Sequence, residues 1–177
     1  MTDNTKTQAG EALLGTLRYE NGTGTVRMED VFDTDIGDLW TAIVEPARLS
    51  RWIADVTGDL RLGGHFEATF TSGWVGSGTV DVCDAPKRLL VTLDPDPDDD
   101  SGRPMTLEAF LTTVGHKTRL VVEDSGFSRD DLPGHGAGWQ AHFEDLSTYL
   151  SGRESTGWQP RWRALMPAYD QLAAGID

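Results

Sequence analysis

The chain has 177 residues, 38% hydrophobic and 25% charged, a composition that suits one ordinary globular domain. Its 29 acidic residues against 15 Lys plus Arg give a net charge of −14, which repels phosphate backbones and anionic lipid and so argues against nucleic-acid and membrane partners. A single cysteine, Cys83, rules out an intramolecular disulfide framework and a cysteine-built zinc site, and fits a small buried hydrophobe.

Residues 1–11 are polar and aperiodic and read as a disordered tail. They contain no signal-peptide h-region, and no run approaches the roughly 20 apolar residues of a membrane span, so a cytoplasmic protein is expected. Leu13 to Tyr19 and Thr25 to Phe32 flank the turn signal Asn21-Gly22 and predict a leading hairpin, with a bulge or strand end at Val31-Phe32. Asp35 stands where an N-cap acceptor belongs. Ile36, Leu39, Trp40 and Ile43 then form one helical stripe, and Pro46 opens a second short helix carrying Leu49, Trp52 and Ile53.

After Gly63-Gly64 the period becomes two, with Phe66, Ala68 and Phe70 on one face. Further strands follow over Trp74 to Cys83, Arg88 to Leu93, Met105 to Val114 and Lys117 to Asp124, giving about seven in all. Beyond Pro133-Gly134, Trp139, Phe143, Leu146 and Leu150 mark a helix of about 17 residues that Gly152 stops. Trp158, Trp162, Leu165, Tyr169 and Leu172 mark a closing helix, which Pro167 should kink or split. A curved antiparallel sheet must bury its concave face, and the Trp139 helix is the element long enough to cover it. The expected fold is therefore α+β, a sheet gripping one long helix.

The run Phe32-Asp33-Thr34-Asp35-Ile36-Gly37-Asp38-Leu39-Trp40 through Pro46, Leu49 and Trp52 resembles the START-like (SRPBCC) superfamily. More narrowly, it is similar to the branch named after the activator of the heat-shock-protein ATPase. Leu62-Gly63-Gly64-His65-Phe66, the stretch Thr118 to Phe127 and the Gly138-Trp139 helix agree in the same order, so that the resemblance spans about residues 25–152. It implies the helix-grip fold of the birch pollen allergen, with a cavity for apolar ligands between sheet and helix. On that basis the chain divides into a tail at 1–11, a START-like domain at 12–152, and a helical extension at 153–177 that packs on the domain or joins two subunits as a homodimer.

The cavity wall is expected from Met28, Phe66, Ala68, Phe70, Val80, Val82, Leu107, Leu120, Trp139, Phe143 and Leu146, with Trp74 at its mouth and His142 at its edge. The competing reading is that these side chains fill a solid core. His65, His135 and His142 lack metal-ligand spacing and read as solvated histidines rather than a zinc site. Asp94, Asp96 and Asp98 imitate a calcium loop but lack its glycine and its closing Glu; a solvated acidic loop fits better. Gly76-Ser77-Gly78 is no nucleophile elbow, and the glycines at 134, 136 and 138 follow no βαβ unit, so neither a serine nucleophile nor a dinucleotide cofactor is indicated. Glu67 and Glu108 are expected to point outward.

No catalytic residue, metal or cofactor is assigned. The expected function is binding of a small apolar or amphipathic molecule without an assigned reaction. One alternative is a polyketide cyclase or aromatase-like enzyme using His142 or Asp30 as acid or base. The other is a protein-interaction module of the co-chaperone kind, although the first 24 residues leave no room for the preceding domain such a protein would carry.

Overall fold

The computed structural model describes residues 12–98 and 102–177; the expected tail at 1–11 lies outside them. Eight strands form one antiparallel sheet: β1 (Gly15–Glu20), β2 (Thr23–Phe32), β3 (Ala54–Gly58), β4 (His65–Phe70), β5 (Val75–Asp84), β6 (Arg88–Leu93), β7 (Met105–Val114) and β8 (Lys117–Phe127). Their spatial order is β1-β2-β8-β7-β6-β5-β4-β3, so one long crossover, through α1 (Ile36–Val44) and α2 (Pro46–Leu49), carries the chain from β2 to the far edge. The helix α3 (Leu132–Leu150) lies against the concave face, and α4 (Trp158–Ala174) packs along α3.

Local chemistry explains most of these elements. Asn21 and Gly22, at φ +52° and +78°, supply the left-handed pair that a tight β1–β2 turn requires. Asp35 caps α1, its Oδ1 accepting from the Asp38 backbone N–H at 2.9 Å. Arg48 then donates to Asp38 at 2.9 Å and to the Tyr149 hydroxyl at 3.0 Å, tying the short helices to α3.

Two expectations are corrected and a third is narrowed. The eighth strand is β3, a five-residue edge strand in which only Ala54 is buried. Of the bulge or strand end expected at Val31-Phe32 the structure shows the strand end, β2 closing at Phe32, while its irregularity lies at Gly24/Thr25. Pro167 does not split α4, which runs on through it. The long helix also starts earlier than its aromatic stripe suggests, at Leu132, which is fully buried.

The glycines at 134, 136 and 138 form the seat of α4. The Trp162 and Trp158 indoles donate to the carbonyls of Gly134 and Gly138 at 3.0 and 3.1 Å. At Gly136 a Cβ would sit 2.5 Å from the Tyr169 ring. Tyr169 itself is fully buried, donating to Gln140 Oε1 at 2.7 Å and accepting from the Gly15 backbone N–H at 3.2 Å. The apolar stripe of the closing helix is thus covered within the chain, with Leu165 and Tyr169 both inaccessible.

Candidate active or binding cavity

Two adjoining voids lie between the sheet and α3. The inner one, of about 120 Å³, is lined by apolar side chains that include Ile43, Trp52, Phe66, Ala68, Val80, Leu120 and Val122. The outer one, of about 250 Å³, is bounded by Phe70, Ser72, Trp74, Met105, Asp124, His135, His142 and the α4 residues Trp158 and Trp162. Phe70, Leu93, Leu107 and Trp139 line both.

Of the thirteen side chains expected around a ligand, nine line these voids: Phe66, Ala68, Phe70, Trp74, Val80, Leu107, Leu120, Trp139 and His142. Four do not. Met28, Phe143 and Leu146 are fully buried in the core beside the cavity, where Phe143 packs edge-on to Phe32 at 5.6 Å. Val82 is displaced by a bulge. Val80 pairs with Val91 but Val82 with Leu90, so Asp81 is extra and the alternation inverts; Cys83, not Val82, packs against the core.

The outer cavity has a polar end. Alternation along β8 brings Leu120, Val122 and Asp124 to the concave face, leaving a carboxylate only 3% exposed. Asp124 Oδ2 accepts from His135 Nδ1 and from Trp139 Nε1, each at 2.8 Å; its Oδ1 has no partner in the protein. The His135 ring stacks on Phe127 with centroids 4.0 Å apart. Burial works against a charge on His135, but the hydrogen bond to Asp124 and the charges of Asp124 and Asp131 outweigh it and hold its pKa above the ordinary histidine value.

His142 is caged by the rings of Phe70, Trp139 and Trp158, with centroids 6.3, 5.6 and 5.4 Å away. Burial depresses its pKa to about 3 despite a hydrogen bond to the Trp52 backbone, so the imidazole is neutral at physiological pH. Its Nδ1 is buried without a partner. His142, 4% exposed, is not the solvated side chain expected, whereas His135 stays partly exposed while paired with Asp124. His65 is exposed and bonds to Thr79. Among the described residues no three His, Cys, Asp or Glu side chains are grouped to hold a metal ion.

Of the other polar candidates, Asp30 and Glu67 fall away from the voids, whereas Glu108 is among the residues lining the inner one. Asp30 Oδ1 accepts from the Val31 N–H at the surface, Glu67 is exposed, and Glu108 pairs with Arg88 at 2.7 Å. Two further lining residues, Trp158 and Trp162, come from a segment whose sequence shows helicity but not its docking site. Asp124 had a legible signal: a lone carboxylate in phase with Leu120 and Val122.

Residues 33–151 match the family model described as Activator of Hsp90 ATPase homolog 1-like protein. The chain belongs to this family. The match takes in Asp124, His135, Trp139 and His142, whereas the α4 residues Trp158 and Trp162 lie outside it. No curated protein matches. Among solved structures, CalU16 from Micromonospora echinospora superposes with a TM-score of 0.71 at 21% identity, over 93% of this chain and 98% of its own. Protein MLL2253 from Mesorhizobium loti gives 0.66 at 24% identity, over 74% and 99%. DynU16, from the dynemicin biosynthetic locus, gives 0.63 at 23% identity, over 72% of this chain and 47% of its own. At these identities the likeness is one of fold, the helix-grip architecture of the SRPBCC class. No helix is long and apolar enough to cross a membrane among the described residues.

Proposed function

We propose that this family member binds a small, largely apolar molecule with a polar end inside the cavity between sheet and α3. The observation that carries this reading is the gradient along the void, from hydrocarbon at Ala68 and Val80 to the buried Asp124 and His142 at the outer end. Pockets that fix a ligand's orientation combine apolar walls with a few placed polar groups. The neutral fluorescent probe N-phenyl-1-naphthylamine tests it. Saturable, displaceable enhancement at micromolar concentration is expected, and Leu107→Trp, which fills the junction of the two voids, should weaken it at least tenfold. Absence of displaceable binding would remove the proposal.

A second reading, an acid–base enzyme of the polyketide cyclase kind, is favoured by the Asp124–His135 pair. Burial opposes a charge on its histidine, but the bond to the carboxylate raises the His135 pKa, which suits that ring to donating a proton, whereas His142, with its pKa depressed by burial to about 3, is a poor base. The appearance of CalU16 and DynU16 among the structural relatives is compatible with it. A homodimer through the extension would need a surface other than the α4 stripe, since Leu165 and Tyr169 are already covered.

A further inference from the structure

Resting on the binding reading, we infer that the ligand is a flat aromatic molecule bearing hydroxyl or amine hydrogen-bond donors, and that Asp124 Oδ1 and His142 Nδ1 receive those donors. Both residues border the outer void, and both atoms are buried and unpartnered. A buried acceptor left unsatisfied is costly, so the protein holds two groups that gain when a ligand supplies what the fold does not.

The polarity of the demand follows from the chemistry of each group. Asp124 already receives two N–H bonds on Oδ2, and its other oxygen can only accept. His142 Nδ1 is likewise buried without a partner, and in the Nε2–H tautomer of the neutral ring it is a bare acceptor. Two buried acceptors at this end favour a ligand that brings donors to them, and a ligand carboxylate placed against them would face the charge of Asp124. The walls set the shape: Trp74, Trp139, Trp158 and Phe70 offer ring faces and edges suited to a planar aromatic. Both acceptor atoms are screened from solvent, and the Trp158 ring lies 5.4 Å from His142 on the side of α4.

Calorimetry with three matched probes on the intact chain tests the inference: 2,6-dihydroxynaphthalene, 2,6-dimethoxynaphthalene and 2-naphthoate. The diol should bind at least about tenfold more tightly than the ether, as one hydrogen bond to a charged acceptor warrants, and the naphthoate should bind weakest. In His142→Phe and in Asp124→Asn the ratio of diol to ether affinity should fall toward one. Equal binding of diol and ether by the unaltered chain would overturn the donor assignment while leaving the binding reading standing; failure of all three probes would overturn both. The unaltered chain decides the matter even if a variant fails to fold.

Discussion

At the scale of single residues, His142 and His135 are shifted in opposite directions. His142 is neutral in the folded chain down to about pH 3, whereas an unfolded histidine titrates near 6.5. Its contribution to stability is thus complete above pH 6.5 and declines as the pH falls toward 3, by an amount on the order of a few kcal/mol. Urea midpoints at pH 7 and pH 4.5 should converge for His142→Phe relative to the unaltered protein. An identical acid dependence in both would place the pH sensitivity elsewhere. His135 has the reverse sign. Its pKa is raised, so the stabilisation from its pairing with Asp124 is present below pH 6.5 and disappears as the pH climbs through the raised value. Histidine NMR titration should show one ring with a pKa above 6.5 that His135→Gln removes.

At the scale of elements, α4 is held by shape as much as by bonds. Gly136→Ala would drive a methyl into the Tyr169 ring, and relief requires moving a side chain that is fully buried. A loss of about 1–3 kcal/mol is expected from chemical denaturation. Tyr169→Phe, which strips one partner from Gln140 and from the Gly15 N–H, should cost about 1–2 kcal/mol. A near-zero effect in both would mean that α4 contributes little to the fold. The half-buried Arg161–Glu144 pair is expected to add less than either.

The same elements show what the sequence could convey. Period-two alternation in β4 and β8 and the helical stripe of α3 are strong local signals, and they place Phe66, Ala68, Leu120 and Trp139 on the concave side. Val82 failed because one inserted residue, Asp81, reverses everything after it, and a bulge leaves little trace in a strand of mixed residues. Met28, Phe143 and Leu146 face inward but belong to the packing beside the cavity; alternation reports the face, not whether the space before it is filled. The regular glycine spacing at 134, 136 and 138 had meaning only once α4 was in place against it.

At the scale of the whole molecule, the sheet and α3 form a wall around space that the side chains leave open, and the strongly acidic surface does not enter into it. A ligand that binds the folded chain alone should raise its stability by about 2.7 kcal/mol at a hundred times its dissociation constant, whatever the salt concentration, since the contacts are largely apolar. The most direct measurement is a heteronuclear NMR titration of the full chain with N-phenyl-1-naphthylamine, following the indole N–H signals of Trp139 and Trp158 and the methyl of Ala68. The account predicts that all three shift together and saturate with one dissociation constant. Shifts confined to surface residues, or no saturable shift at all, would contradict it.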